Sequence, residues 1–574
     1  MDAKQILLKE TFENEFVMER FERWTKEFFN KVRIIAPYKK NINYLSEFAF
    51  YIATHSLVAD FTDVDRNKIA VYAVELRRGR SVEKARSMQR NFISKLISGN
   101  VQYDAAIVAF YSEDEPRWRL SLVRLDKEFL AGGKVKTSIT PAKRFSYLVG
   151  KGEPSRTAMD QLFPIFQREN FNPTLDKIED AFSVEAVTKE FFDRYREEFY
   201  DLKGILEKNE QFIDEATTHG FTSEQFAKKL MGQLAFIYFL QKKGWLGVKV
   251  VPHKINEKQY QNAYYTNKAS RDIIPKIYKQ INIDEYRLST AMLKSDQFTN
   301  NEADVLAGCF KSDSWNTGTK TFIRDLFDDC LKQGKYFFDD YLEPFFYEAL
   351  RVNRGKNHYY KRFNCKIPFL NGGLFDPIEN YEWDRVRFDI PNEIFSNRHI
   401  KGERNADGIL DIFERYNFTM NEDEPLEREV AVDPEMLGKI FENLLDAKDR
   451  KNKGAFYTPR EIVHYMCQES LCNYLVNEVN LPYDDVKDFV LFGEIRKDED
   501  CSKNVDLEDD VKRSLPRNIY GNLSNIDDAL VNIKVADPAV GSGAFPLGML
   551  SEIVKLRNII TEYRVHQIPA DKKI

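Results

Sequence analysis

Residues 531–556 read VNIKVADPAVGSGAFPLGMLSEIVKL. An apolar, strand-like run ends at Asp537, passes into a glycine turn, and Leu547–Leu556 then reads as a helix. Gly541 and Gly543 permit positive φ and let a ligand approach the backbone closely. Strand, glycine turn and helix in this order predict the first unit of a doubly wound α/β sheet. Such sheets bind ligands at the carboxyl ends of their strands. An acidic residue at the strand end suits a ligand carrying an ammonium group. The GSG turn by itself is weak evidence, because an ordinary tight turn reads the same way. A P-loop is excluded, since no Gly-Lys-Ser/Thr follows.

Working outward, the 574 residues suggest about four domains. A hydrophobic content of 43% supplies ample core, with 44 Phe and 28 Tyr among it. The net charge of −6 excludes binding of nucleic acid by bulk positive charge, so any such contact needs local basic surface. The cysteines, at 309, 330, 365, 467, 472 and 501, show no CxxC spacing and no zinc-ligand set. They read as reduced intracellular thiols. The amino terminus lacks an apolar signal-peptide core, and the run Leu234–Leu240 is too short to span a bilayer. The expectation is a soluble, cytoplasmic protein without membrane partners.

The chain reads as mixed α/β. Phe12, Phe16, Phe21, Trp24, Phe28 and Val32 lie near helical spacing. IAVYAV (Ile69–Val74), AAIVAFY (Ala105–Tyr111) and WRLSLVRL (Trp118–Leu125) read as strands, and Val82–Ser98 as a helix. These predict a small α/β domain over residues 1–165. Residues 166–430 form a largely helical connector, with helices expected over Ala186–Lys208, Ser223–Lys243 and Thr321–Arg351. Its carboxy-terminal extension, 352–430, is turn-rich. Residues 431–574 form a third domain, opened by the helix Asp433–Leu445 with an Asp-Pro start. Residues 495–516 are dense in charge and read as a solvated insertion.

Two motifs carry a family resemblance. DPAVGSGAF (Asp537–Phe545) resembles motif I of the gamma-type DNA adenine methyltransferases, and GAFYTP (Gly454–Pro459) resembles their motif X. Motif X lies upstream of motif I in that class, as it does here. DPEMLGKIFENLL (Asp433–Leu445), IPFLNGGLF (Ile367–Phe375) and KKLMGQLAFIYFLQKKGWLG (Lys228–Gly247) are similar to segments of large type IIG restriction–modification proteins, enzymes of phage defence. The resemblance implies a Rossmann-like methyltransferase domain that takes S-adenosyl-L-methionine. Asp537, Ala539, Gly541 and Gly543 would shape its methionine pocket, with Phe456, Tyr457 and Thr458 closing the other side. For the two aromatics, plain core packing stays an alternative. The chain departs from the family after motif I. It contains no Pro-Pro dipeptide, so the (Asn/Asp)-Pro-Pro-aromatic loop that grips a flipped adenine is missing. The expectation is the amino-terminal part of such a protein. Alone it would transfer no methyl group and bind cofactor weakly, and a second chain could supply the remaining motifs and the DNA-reading domain.

The predicted order over residues 42–111, helix–strand–helix–strand, is compatible with a PD-(D/E)xK nuclease core. Type IIG proteins often carry such a domain ahead of the methyltransferase. That chemistry needs carboxylates on neighbouring strands to hold magnesium and a lysine to place the water. The candidates are Asp63 or Asp65, then Glu75 and Arg77, with Asp65 and Glu75 as the magnesium pair. Arginine in the lysine position stabilises charge but does not act as a base. The basic run Arg78, Arg80, Lys84, Arg86 and Arg90 is a candidate face for the phosphates of double-stranded DNA, with Gln89 as a supporting residue. An active nuclease, a degenerate nuclease-like domain and an unrelated scaffold all stay open. So does a non-catalytic chain that binds DNA or a partner.

Overall fold

In the computed structural model, IAVYAV lies inside a strand, Lys68–Leu76, buried from Ile69 onward. A strand covered on both faces needs apolar side chains at consecutive positions, as this run provides. The structure describes residues 3–29, 31–35, 38–49, 51–83, 86–98, 103–125, 128–129, 135–136, 143–167, 172–251, 298–308, 311–370, 373–402, 405–419, 427–432, 458–502, 514–540 and 543–567. The chain is mixed α/β and divides into two compact units. The first comprises Met1–Val187, Asp423–Ala431 and Gly438–Ile574, and the second Thr188–Glu422 and Val432–Leu437.

The first unit begins with helices α1 (Ala3–Phe12) and α2 (Met18–Phe28). An eight-stranded mixed sheet follows. Its strands are β1 (Arg33–Ile34), β2 (Lys40–Asn41), β3 (Ile52–Thr62), β4 (Lys68–Leu76), β5 (Ala105–Ser112), β6 (Glu115–Arg124), β7 (Lys143–Gly150) and β8 (Glu427–Glu429). The order is β1–β3–β4–β5–β6–β7–β8, with β2 also on β3. Helix α3 (Arg86–Ile97) is the crossover between the parallel strands β4 and β5, while β5, β6 and β7 pair antiparallel. Strand β8 returns from far downstream to pair parallel with β7, Glu427 opposite Arg144. On one face Phe92, Ile93 and Ile97 of α3 bury against Tyr72, Val74, Val108 and Phe110. Each such buried side chain contributes about 1.5–3 kcal/mol. A second core joins Phe12 and Trp24 to Trp118 of β6, with ring centroids 5.8–5.9 Å apart for Phe12 and its two partners.

The expected order of this domain omits β3 and β7. The reason lies in their sequences. Thr54, His55 and Ser56 of β3 are polar or half-polar, and they mask the alternation although His55 and Ser56 are buried. Short helices α4 (Arg156–Leu162) and α5 (Leu175–Asp180) close the sheet domain, and Thr174 caps α5 by accepting from the Lys177 amide.

The first unit resumes as helices α6 (Arg460–Val479), α7 (Tyr483–Ser502), α8 (Leu523–Asn532) and α9 (Ala544–Gln567). Leu471, Leu475, Phe489, Ile519, Ile526, Leu556 and Ile560 form their core. Two expectations change here. The run VNIKVA is not a strand: Val531 and Asn532 finish α8, and 533–537 is irregular. A strand's amides and carbonyls need a neighbouring strand. Among the described residues none lies beside this segment, and Val535 and Val540 stay exposed. The charged stretch 495–516 is not wholly a solvated insertion either. Helix α7 runs into it, and buried Asp500 accepts from the Leu515 amide at 3.2 Å and the Tyr563 hydroxyl at 2.8 Å. The predicted helix Asp433–Leu445 lies outside the described residues.

The second unit is mostly helical among the described residues, with helices Val184–Leu206 (from Thr188 on), Glu210–His219, Ser223–Lys242 and Phe322–Gln333. Thr222 and Gln225 form a capping box at the start of the third. π-helical turns occupy Phe338–Leu342 and Pro344–Leu350. Short antiparallel strands at 248–251, 311–312, 359–360 and 365–366 add a small sheet. Arg324 is bound by Asp411 and Glu414, each at 2.8 Å, and by Ser396 at 2.7 Å, which ties its helix to the helix Ile409–Arg415.

Candidate functional site

The candidate nuclease residues fall at opposite ends of one strand. Asp63 sits in the turn entering β4, and Glu75 stands near its far end. Asp63 pairs with Asn67 just before β4, so at about 3.3 Å per residue roughly 25 Å of strand separates it from Glu75. The carboxylates of Asp63 and Asp65 are therefore not brought to Glu75. Asp63 is buried and spent on structure: it accepts from the Asn67 amide at 2.7 Å, the Asn67 side chain at 2.9 Å and the Leu175 amide at 2.8 Å. Asp65 is exposed in the same turn.

Around Glu75 stand a cation, two hydroxyls and the carboxyl of Glu113, which lies within hydrogen-bonding reach of it. Its cross-strand partner on β3 is Thr54, whose hydroxyl donates to Glu75 Oε2 at 2.7 Å. The Lys39 ammonium donates to the same oxygen at 2.9 Å. Tyr111 pairs with Glu75 across β5, and burial followed by the Glu75 charge pushes its hydroxyl pKa up. Arg77 is exposed, with its guanidinium on the Ala49 carbonyl and its amide on Tyr51 O at 2.8 Å.

The segment after Arg77 is laced to the β5–β6 turn. Arg78 binds Glu113 at 2.7 Å, the Gly79 amide donates to Asp114 at 2.7 Å, and the Val82 amide donates to Glu115 at 3.1 Å. Hydrogen bonds and charge from Arg78 hold the Glu113 carboxyl below its usual range. Arg80 lies over the Tyr51 ring, 5.3 Å from its centroid. The basic run is thus not one solvated helix face. Arg90 is 3% exposed, because this side of α3 packs on the sheet, so it is not placed to meet phosphate. Lys84 and the Arg86 side chain lie outside the described residues.

The sequence reading named Gln89 but not Lys39, Thr54 or the buried arginines Arg119 and Arg144 that join Gln89 in a polar belt. Gln89 and Arg119 both donate to the Val82 carbonyl, at 3.3 and 3.1 Å. Arg144 donates to Gln89 at 3.1 Å, and Arg119 donates to Ser146 at 2.8 Å. The available signal was an arginine at an inward position of an otherwise apolar strand, as in WRLSL.

These residues do not fit a divalent metal. The Lys39 ammonium occupies Glu75, and the guanidinium of Arg78 occupies Glu113, the carboxylate beside it. Among the described residues no group of three or more His, Cys, Asp or Glu could hold a metal ion.

The glycine turn of the last helix forms a second candidate site. Asp537 accepts from the Ala539 amide at 3.0 Å, which folds the turn back on its own carboxylate. Gly543 has φ +84° and donates to Val540 O at 2.7 Å, with open space where a Cβ would stand. Thr458, half-buried, precedes Pro459 at the start of α6. Phe456, Tyr457 and Gly541 lie outside the described residues. The first turns of α6 and α9 pack directly on each other. A Cβ on Gly548 would stand 2.7 Å from Val463 Cγ1, and Cys467 Sγ lies 3.7 Å from the Phe545 carbonyl. Thr458 and Gly543 therefore open from neighbouring helix ends. A glycine turn with open space beside a helix amino terminus fits a small ligand approaching along the backbone.

Over 268 residues the chain is 30% identical to a protein of Methanocaldococcus jannaschii named "Putative type II restriction enzyme and methyltransferase RM.MjaORFECS2P". The match covers 42% of this chain and 19% of that protein. No protein-family model matches the chain, and no solved structure gives a significant match. Among the described residues no helix is long and apolar enough to cross a membrane.

Proposed function

We propose that this chain works on DNA within a restriction–modification protein, contributing part of an S-adenosylmethionine pocket of an adenine methyltransferase and a sheet domain that holds DNA without cutting it. The observation that carries the pocket is the packing of Val463 and Cys467 against Gly548 and Phe545, which sets the Thr458 and Gly543 loops side by side. Asp537, Ala539, Gly541 and Gly543 would hold the methionine end of the cofactor, and Phe456, Tyr457 and Thr458 the opposite side. The cofactor supplies the methyl group. The chain's residues bind it, orient it and exclude water.

The non-cutting role of the sheet domain rests on Lys39 and Thr54 beside Glu75, and on the structural use of Asp63. Arg77 is its exposed cation for phosphate. A second reading, cleavage with magnesium, is favoured by the name of the archaeal relative. One experiment separates them. The purified chain is incubated with duplex DNA, with and without magnesium, beside Glu75→Ala. Retention of DNA without cleavage supports the proposal, and metal-dependent cleavage lost in Glu75→Ala overturns it. Equilibrium dialysis against labelled S-adenosylmethionine tests the pocket. The absence of strand pairing at 533–537 among the described residues leads us to expect binding weaker than micromolar, the affinity that corresponds to about −8 kcal/mol.

A further inference from the structure

The α6–α9 contact contains a polar pair where apolar packing would serve stability equally well. His464 Nδ1 lies 2.8 Å from Glu552 Oε1, and Gln468 Nε2 donates to the same oxygen at 3.1 Å. Glu552 is 3% exposed. Lys555 stands 3.8 Å from its other oxygen, Oε2, which accepts no hydrogen bond among the described residues. Around the pair, Val463, Cys467 and Gly548 bring the two backbones close. Glu552 keeps its carboxyl below the usual range. Burial raises it, but the His464 hydrogen bond and the Lys555 charge outweigh that.

Taking a carboxylate out of water costs several kcal/mol, and a buried ion pair seldom returns more than an apolar pair of the same volume. Its best-attested gain is register: only one sliding position of the two helices lets the donors meet the acceptor. Here register has a chemical consequence. His464 lies four residues beyond the first residue of α6, and Glu552 eight beyond the first of α9. A slip of one residue, about 1.5 Å along either axis, would shift Thr458 against Gly543 by the same amount. A cofactor clasped between two loops is sensitive to such a shift.

We infer that His464 and Glu552 are positioning residues that lock α6 and α9 in register and so set the spacing between the Thr458 and Gly543 loops that receives S-adenosylmethionine. This rests on the pocket proposed above. Neither residue touches the cofactor.

The test uses the whole chain with Glu552→Ala, Glu552→Gln, His464→Ala and His464→Gln. The Gln replacement of His464 keeps a donor for Glu552, and Glu552→Gln keeps the shape should the alanine variant not fold. Hydrogen exchange is followed at 460–463 and 543–547, with 519–530 as the control for global opening. Binding is measured by dialysis against millimolar labelled S-adenosylmethionine. The expected result is exchange about tenfold faster at both helix starts in the alanine variants, unchanged control amides, cofactor affinity lower by about tenfold, and near wild-type behaviour for His464→Gln. Faster exchange throughout 519–530 would mean a merely structural pair and overturns the inference. Affinity equal to wild type in every variant overturns the positioning role and leaves the pocket standing. No binding by the wild-type chain removes the pocket and the positioning role together.

Discussion

Replacing Asp63 by alanine discriminates between a catalytic and a structural carboxylate. The side chain is 6% exposed and accepts three hydrogen bonds, two from Asn67 and one from the Leu175 amide at the start of α5. A hydrogen bond to a charged group contributes about 1.5–3 kcal/mol, and a buried donor left unmet costs about 1–3. The three share one acceptor and are not additive, so the expected loss is about 3–4 kcal/mol. For a domain of roughly 200 residues, the size of the sheet domain, each kcal/mol lowers the melting midpoint by about 2–4 °C, so Asp63→Ala should melt about 10 °C early. Asp65→Ala, exposed in the same turn, should stay within about 0.5 kcal/mol of wild type. Thermal denaturation followed by circular dichroism and by tryptophan fluorescence reads both, because Trp24 and Trp118 lie in the sheet domain's core. An Asp63→Ala chain that melts with the wild type but loses an activity on DNA would refute this reasoning and return Asp63 to the chemistry.

Arg77→Ala should make the salt dependence of DNA binding shallower by about one unit of slope, whereas Arg90→Ala should leave the slope unchanged and lower stability by about 2 kcal/mol; gel-shift titration and urea denaturation measure the two. Gly548→Val should weaken the helical core by about 2 kcal/mol, since even its first added carbon would stand 2.7 Å from Val463 Cγ1; an unchanged denaturation midpoint would show that α6 and α9 are not in close contact. Burial, opposed by the Phe388 amide and Arg387, raises Asp339 from 3.8 to about 6 in the second unit. The folded state then holds this proton more tightly than the unfolded one, so its contribution is fully present below pH 3.8 and is lost as pH rises through about 6. The change amounts to about 3 kcal/mol, and Asp339→Asn should flatten that part of a stability–pH curve.

The parts of the fold legible in sequence are those where one strand or helix declares itself. IAVYAV and AAIVAFY could be read because a strand covered on both faces admits little but apolar residues. Helix Ser223–Lys242 announced its start through Thr222 and Gln225. The strand IATHSLVADFT escaped because Thr54, His55 and Ser56 interrupt its apolar pattern, two of them in buried places, and interior arginines hid the roles of Arg119 and Arg144. VNIKVA was misread because a strand is a property of a pair, and its composition says nothing of a partner. The separation of Asp63 from Glu75 was in principle readable. Asp63 lies before a strand of which Glu75 is the eighth residue, too long a run for both to share one ion. The glycine turn was legible as a turn, and its Gly543 does take positive φ. What it binds is not written in its spacing.

Strand β8 bears on how the chain is made. It pairs with β7, yet roughly 280 residues of polypeptide separate them. At about 5–20 residues per second, a ribosome needs some 14–56 s to deliver β8 after β7 has emerged. For that interval Arg144–Ser146 waits with its outer amides and carbonyls unclaimed, a surface on which a neighbouring nascent chain can add a strand. Crowding of polysomes, and occupancy by a chaperone that binds extended segments, should therefore affect the yield of this protein more than its final stability suggests.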